Sequence, residues 1–173
     1  MQPSSYTDGT THTTSVLIAA EALGQTWSNG TGVGKLTRAV EVAIDHPQVA
    51  GYAFYDNTTE GSTWRWKLLL INLLTYLRNQ GNTTRGAPRG KVHIDLSFSV
   101  TNSSFVLASP IPQAMAIKRL AIPYADDTSG ITWGGQTYET SNGIVSRKSK
   151  IEKNVVATGV DLWDTEAILI YFD

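Results

Sequence analysis

Apolar and polar residues alternate in several short runs of this sequence, and that period of two most limits the folds open to the chain. The clearest run is KVHIDLSFSV at residues 91–100, which places its apolar residues on one face of a strand and its polar residues on the other. The other strand candidates are RAVEVAI, VAGYAFYD, TWRWKLLLINL, MAIKRLAI, ITWGGQTY and TEAILIYFD. Seven such strands joined by turn residues predict an all-β protein, an antiparallel β-sandwich.

Three segments depart from this alternation. Residues 15–24, SVLIAAEALG, combine good helix formers with a Ser that can cap the start and a Gly that can end the helix, so they predict a short apolar helix. Residues 75–90 are rich in Gly, Pro, Asn and Arg and predict a long exposed loop. The basic stretch SNGIVSRKSKIEKNVV predicts a solvated hairpin.

Length, charge and hydropathy exclude several classes of partner. The 173 residues fit one domain of ordinary size. Because 14 Lys and Arg residues face 15 Asp and Glu residues, the chain has no electrostatic footprint for nucleic acid or for an anionic membrane. The longest apolar run, LLLINLL, is far shorter than the roughly 20 residues of a membrane-spanning helix. The polar N-terminal segment has no apolar core of a signal peptide.

No cofactor or metal site is expected from the residue types. The chain has no cysteine, which excludes disulfides, thiolate metal sites and a cysteine nucleophile. Its histidines are too far apart in sequence to suggest a metal site, and His93 lies on the polar face of its strand. Asp126 and Asp127 are adjacent in a turn, where their side chains point apart, so they do not suggest the carboxylate pair of a glycosidase.

Three tryptophans are candidates for stacking against sugar rings. Trp64 and Trp66 are two apart on a predicted strand, and the neighbouring strand contains the aromatic run YAFY at residues 52–55. Packing in a sandwich core gives the same pattern and is the favoured interpretation. Trp163 lies in VDLWDTEA, where Asp161 and its neighbours predict a loop with turns around a packed indole, although a sugar-binding loop can look the same.

Four Asn-x-Ser/Thr triplets are candidate N-glycosylation sites, each in a turn-like stretch. They are Asn29, Asn57, Asn82 and Asn102. Charged residues make up only 17% of the chain, and Thr, Ser, Asn and Gly fill the gaps between apolar runs. Both features favour an extracellular protein.

The stretch AIKRLAIPYADDTSGITWGGQTYETSNG strongly resembles the C-terminal β domain of fungal enzymes in glycoside hydrolase family 79, the β-glucuronidase and heparanase-like family. The pieces AAEALG, YAFYDN, LINL, KVHIDLS and EAILIYFD have counterparts there in the same order, so the resemblance covers nearly the whole chain from about residue 16 onward. By this resemblance a structural turn contains Trp133, Gly134, Gly135 and Gln136, and its glycines allow close approaches that a side chain would block.

The resemblance implies an accessory domain without catalytic residues. Catalysis in this family is performed by two glutamates on a (β/α)8 barrel, with the acid/base in an Asn-Glu dipeptide, and this chain contains no Asn-Glu dipeptide. Residues 1–24 would be the loop and helix that end the barrel, and residues 25–173 the sandwich domain. The expected partner is the catalytic barrel of a secreted parent that releases β-linked glucuronic or 4-O-methylglucuronic acid by a retaining mechanism.

Two alternatives remain open. The chain can be a stand-alone carbohydrate-binding module that stacks glucuronic-acid-containing glycans on Trp64, Trp66 or Trp163. It can also be a truncated gene product with no independent role, in which the apolar helix at residues 16–23 has lost the barrel that it should contact.

Overall fold

The computed structural model describes residues 37–56, 65–78, 88–96, 112–137, 139–140 and 148–172, and these residues are almost entirely strands and connecting loops. The strands are β1 Thr37–Val42, β2 Val49–Asp56, β3 Arg65–Asn72, β4 Lys91–Ile94, β5 Ala114–Ala121, β6 Thr132–Trp133, β7 Glu152–Val155, β8 Val160–Trp163 and β9 Ala167–Phe172. A single 3₁₀ turn, Val156–Thr158, joins β7 to β8. In the described part of the chain, no helix is long and apolar enough to cross a membrane.

Two antiparallel sheets contain all of these strands. In sheet A the strand order is β1-β2-β3-β9-β5-β6, and β7 also pairs with β5. The first half of β5 contacts β7 and the second half contacts β6, so both short strands share one edge. Sheet B is the pair β4-β8. The predicted all-β antiparallel sandwich is therefore confirmed.

The main hydrophobic core lies between the two sheets. Residues that face each other across an antiparallel ladder share one face, so the ladder pairs Leu70–Ile168 and Leu68–Ile170 put these side chains on the inner face of sheet A. They pack against Leu162 and other apolar residues of sheet B. The buried core residues are Val49, Leu68, Leu70, Ile94, Met115, Ile117, Val156, Val160, Leu162, Ile168, Ile170 and Phe172.

Sheet A also carries an apolar cluster on its outer face, which points away from sheet B. The ladder pair Leu69–Leu169 lies on this face, and Leu169 is fully buried. It belongs to a second cluster with Phe54 and Trp133, against which Leu69, Leu120 and Tyr171 pack. The central strand β9 is consequently apolar on both sides, and only Tyr171 among its six residues is not buried.

The seven predicted strands all form, and two further strands were missed. The basic segment ends in β7, whose exposed Glu152–Val155 lies on the edge of sheet A, where polar side chains are common. The stretch VDLWDTEA contains β8 at Val160–Trp163, so the predicted loop with a packed indole is wrong for these four residues, and a turn follows at Asp164 and Thr165. Val160 and Leu162 are buried, which turns Asp161 and Trp163 outward and leaves Trp163 39% exposed.

Several other predictions fall outside the described residues. The predicted helix at residues 15–24, and with it the proposed division of the chain at residue 24, lies there. So do residues 97–100 of the strand predicted at 91–100. Within the predicted loop at 75–90, the described residues 75–78 and 88–90 contain no strand or helix.

We expect Leu162→Ala to lower the free energy of unfolding by about 2–5 kcal/mol, because a fully buried leucine between the sheets is replaced by a cavity. The matched control is Leu73→Ala at a leucine that is 61% exposed, which should change stability by no more than about 0.5 kcal/mol. Urea unfolding followed by circular dichroism measures both. Equal effects of the two substitutions would contradict the assignment of Leu162 to the core.

Candidate interaction surfaces

The residues Trp133 to Gln136 form a two-residue β-hairpin on the edge of sheet A. The Trp133 amide donates to the Gln136 carbonyl at 2.9 Å, and the Gln136 amide donates back to the Trp133 carbonyl at 3.1 Å. Gly134 and Gly135 have φ angles of 54° and 73°. Two positive φ values in succession define a type I′ turn, which matches the twist of the strands that it joins and strongly favours glycine.

Close packing around this hairpin gives it a structural role. The Trp133 indole is fully buried, and the Lys118 ammonium lies 5.4 Å from its ring centroid. A Cβ atom on Gly134 would lie 2.7 Å from the Lys118 side chain, so this glycine lets the lysine lie over the ring. The Gly134 carbonyl also accepts from the Lys150 amide at 2.6 Å. The hairpin thus joins β5, β6 and residues 148–150.

Arg119 is the centre of an ion network at the edge of the sandwich. It lies on the inner face of sheet A, opposite Ile168 in the ladder. Its guanidinium donates to Glu152 at 2.9 Å, to Glu166 at 3.0 Å and to the Asp161 carbonyl at 2.9 Å. One arginine therefore connects β5 with β7, with β8 and with the turn before β9.

Glu166 is the most buried carboxylate among the described residues, with 6% of its surface exposed. Burial raises its pKa, and this effect outweighs the amide of Trp163 and the guanidinium of Arg119, which both lower it. The amide donates to the Glu166 carboxylate at 2.8 Å. For Arg119, burial opposes the charged form most, but Glu152 and Glu166 together raise its pKa. Glu166 thus positions the backbone of the exposed Trp163.

At one end of the sandwich, two tyrosines and two arginines form a stack of side chains. The rings of Tyr76 and Tyr124 stack with centroids 5.1 Å apart. The Arg78 guanidinium lies 4.7 Å from the Tyr124 ring, and the Arg89 guanidinium lies 6.0 Å from the Tyr76 ring. These cation–π contacts fix loops that come from three separate parts of the chain.

Hydrogen bonds fix the same end of the sandwich. The Tyr76 amide donates to the Thr165 hydroxyl, and the Ala125 amide donates to the Tyr76 carbonyl, each at 2.7 Å. Asp127 forms an ion pair with Arg78 at 2.8 Å, a contact that the sequence analysis did not predict for this turn. Arg89 donates to the carbonyl of Asp164. Both arginines of the stack therefore have partners within the domain.

The outer face of sheet B carries Trp163 among polar side chains. The ladder pairs Trp163 with Lys91 and Asp161 with His93, so all four project from the same face. Lys91 donates to Asp161 at 2.5 Å, and its ammonium lies 5.6 Å from the centroid of the Trp163 ring. His93 Nδ1 is 2.7 Å from the other oxygen of Asp161. We call these four residues the Trp163 surface.

Asp161 holds the polar part of the Trp163 surface together. Its hydrogen bond from Lys91, followed by that to His93, lowers its pKa below the usual range, so the carboxylate is ionised at neutral pH. Asp95 lies next to it, 3.4 Å from His93 Nε2. The described residues contain no group of three or more His, Cys, Asp or Glu side chains that could hold a metal ion.

The remaining candidate residues are distributed as follows. Trp66 lies in β3, opposite Tyr55 in the ladder with β2. Trp64 and the four glycosylation candidates, Asn29, Asn57, Asn82 and Asn102, lie outside the described residues. Of the three tryptophans considered for sugar stacking, Trp163 is thus the one whose side chain is described and exposed.

We expect Gly134→Ala to destabilise the fold by about 1 kcal/mol more than Gly130→Ala. Both glycines have positive φ, which costs an L-residue about 1–2 kcal/mol, but only at Gly134 does the new methyl group also displace Lys118 from the Trp133 ring. At Gly130 the nearest atom to an added Cβ is 4.0 Å away. Thermal and urea unfolding of both variants make the comparison, and equal losses would contradict it.

The free energy of unfolding should depend on pH because of the buried carboxylate of Glu166. The pKa of Glu166 is higher in the folded state than its unfolded-state value of 4.5. The side chain therefore stabilises the fold fully below pH 4.5, and this stabilisation is lost as the pH rises through the folded-state pKa. The free energy of unfolding of the native chain minus that of Glu166→Gln should therefore fall as the pH rises from about 4.5. Urea unfolding between pH 4 and 7 measures this difference. A difference that rises with pH would show that the ion pair with Arg119 dominates instead.

Comparison with protein families gives one match, and comparison with curated proteins gives none. The matching family model is described as the glycosyl hydrolase family 79 C-terminal beta domain and aligns with residues 51–169. The aligned region is more than half of the 173-residue chain and reaches from β2 into β9. It includes the hairpin at Trp133, the Arg119 network and the Trp163 surface.

Proposed function

The chain belongs to the family of glycosyl hydrolase family 79 C-terminal beta domains, and on that premise we propose that it is the non-catalytic domain of a longer glycoside hydrolase, which it stabilises by packing against the catalytic barrel. The observation that carries the proposal is the second apolar face of sheet A. A domain of this family is expected to associate with a catalytic domain in its parent.

The outer face of sheet A has the character of a packing surface. An antiparallel sheet that meets water on one face normally alternates apolar and polar residues, whereas β9 reads AILIYF, with no charged residue and with Tyr171 as its one residue that carries a polar group. Leu69 on β3 and Tyr171 on β9 are only half-buried, and Tyr52 on β2 is 36% exposed. Tyr52 lies opposite Leu69 in the ladder and shares its face. Aromatic and aliphatic residues grouped in this way are typical of interface cores.

The two outer faces of the sandwich therefore suit different environments. The outer face of sheet B bears Lys91, His93 and Asp161, which are charged or titratable, and such residues are depleted at the cores of protein interfaces. The outer face of sheet A also carries Glu41, Lys67 and Lys118, but they lie beside an apolar cluster of Phe54, Trp133 and Leu169. We therefore assign the catalytic barrel to the outer face of sheet A and solvent to that of sheet B.

Further properties of the parent belong to the same proposal. We propose that residues 1–24 are the end of the barrel and that the parent is a secreted, fungal-type glycoprotein with glycans on some of Asn29, Asn57, Asn82 and Asn102. Its substrate would carry β-linked glucuronic or 4-O-methylglucuronic acid, cleaved with retention of configuration. The support for these properties is the sequence resemblance described above.

The test measures whether the domain stabilises its catalytic partner through the outer face of sheet A. The catalytic domain is identified by sequencing the transcript upstream of Met1, expressed separately and mixed with this chain. The chain should raise the Tm of the catalytic domain, since a partner present at 100 times its Kd contributes about 2.7 kcal/mol. Tyr52→Asp should weaken the Kd by roughly 30-fold, the effect of losing an aromatic residue worth about 2 kcal/mol at an interface.

Trp163→Asp is the matched control, because it makes the same kind of change at an exposed aromatic residue on the outer face of sheet B. Its Kd for the catalytic domain should equal that of the native chain. Urea unfolding of each variant alone confirms that both are folded. If Tyr52→Asp binds as tightly as the native chain, the outer face of sheet A is not the interface. If the native chain leaves the Tm unchanged, the stabilising role is wrong.

A further inference from the structure

We propose that the Trp163 surface, on the outer face of sheet B, binds a neutral glycan. In this site the Trp163 indole is the platform for one pyranose ring, and Lys91, His93 and Asp161 contact its hydroxyl groups. The inference does not rest on the proposed packing role, because the two involve opposite faces of the sandwich.

The alternation of side chains along β4 and β8 places this surface on the outer side of sheet B. On the inner side, Ile94, Val160 and Leu162 are buried in the core, so the alternate residues of β4 and β8 must point outward. Trp163 and Lys91 face each other across the ladder, and Asp161 and His93 form the adjacent pair. An exposed indole therefore lies at one end of a strip of hydrogen-bonding side chains.

The indole is held in place before any ligand arrives. The Trp163 amide donates to the buried Glu166 carboxylate at 2.8 Å, which fixes the backbone at this position. Lys91 contacts the ring through a cation–π interaction and is itself held by Asp161 at 2.5 Å. These contacts still leave 39% of Trp163 exposed. A fixed aromatic surface binds with a smaller entropic cost than a side chain that must first be ordered.

The polar groups beside the indole suit hydroxyl ligands. Lys91 supplies donors, the Asp161 carboxylate supplies acceptors, and the His93 ring nitrogens can do either. A sugar hydroxyl is both donor and acceptor, while the C–H groups on the face of a pyranose ring form an apolar patch of a size similar to an indole. An aromatic ring bordered by mixed donors and acceptors thus matches a pyranose ring and its hydroxyl groups.

Charge on the Trp163 surface and its neighbour Asp95 favours a neutral sugar over an acidic one. At neutral pH the cation of Lys91 is matched by Asp161, which accepts its hydrogen bond. Asp95 adds a second carboxylate next to His93 and is 92% exposed. The strip thus sets two carboxylates against the single ammonium of Lys91, so its fixed charges offer no excess of positive charge to attract an incoming carboxylate.

Indole NMR signals of the ¹⁵N-labelled full chain test the site. The probes are cellohexaose and xylohexaose as neutral glycans and a hexaglucuronate as the acidic one. The Trp163 signal, identified by its loss in Trp163→Phe, should shift with at least one neutral probe, whereas that of the fully buried Trp133 should not. Trp163→Ala should abolish binding, and Asp161→Asn should weaken it about tenfold, equivalent to roughly 1.4 kcal/mol. Tyr52→Ala, on the outer face of sheet A, is the control and should bind normally.

Three results would overturn the proposal. If the Trp163 signal does not shift with either neutral probe at millimolar concentration, the surface does not bind a neutral glycan. If the hexaglucuronate binds more tightly than both neutral probes, the predicted preference for a neutral ligand is wrong. A Trp163 signal that responds to the catalytic domain and not to any glycan assigns the surface to a protein partner. None of these results depends on whether Tyr52→Asp weakens binding to the catalytic domain, so the two proposals fail separately.

Discussion

The structure depends on β9 being buried on both of its faces. Ile168 and Ile170 fill the space between the sheets, while Leu169 packs with Phe54 and Trp133 on the other side. The same strand pairs with β3 along one edge and with β5 along the other, so it joins the two halves of sheet A. Hydrophobic burial on two sides of one strand is characteristic of a middle layer. Sheet A is therefore the central layer of the described part of the domain, with buried apolar side chains on both of its faces.

Polar contacts fix the positions of the side chains at the edges and ends of the sandwich. Arg119 joins β5 to β7 and to the turn before β9 through Glu152 and Glu166. Glu166 in turn holds the amide of Trp163, so the buried ion network and the exposed aromatic surface are physically connected. Because a carboxylate is costly to bury, its two hydrogen-bond donors, the Arg119 guanidinium and the Trp163 amide, are what allow it to remain there. A structural network thus orients a residue that the solvent can reach.

Much of the fold follows from the sequence because period-two alternation is a local signal. It located seven strands and the face of β4 that enters the core. Two strands escaped for physical reasons. In β7 all four residues of EKNV are at least partly exposed on an edge, so apolar alternation is absent there. In β8 only Val160 and Leu162 carry the signal, and the turn at Asp164 and Thr165 follows at once, so the whole stretch resembles a loop. Short strands are identified by their partners, and partners are not visible in a single sequence.

The Trp163 surface could not be predicted for the same reason. Trp163 and Lys91 are 72 positions apart, and only the register of β4 against β8 brings them together. The stacked pair Tyr76 and Tyr124 is likewise distant in sequence, 48 positions apart. By contrast, the Gly-Gly hairpin is local, and its residue types alone indicate a tight turn. What the sequence analysis identified at the Trp133 hairpin was a local conformation, whereas an interaction surface is a property of the assembled sheet.

The position of β9 in sheet A also has a consequence for biosynthesis. β3 gains its second neighbour only when β9 is made, because Leu169, the ladder partner of Leu69, is added 100 residues later. Until then β1, β2 and β3 form a meander with an unpaired, strongly apolar edge, and such edges pair readily with other chains. The order of synthesis therefore leaves the nascent domain exposed to aggregation for much of its translation, and a chaperone that binds this edge would protect it during that interval.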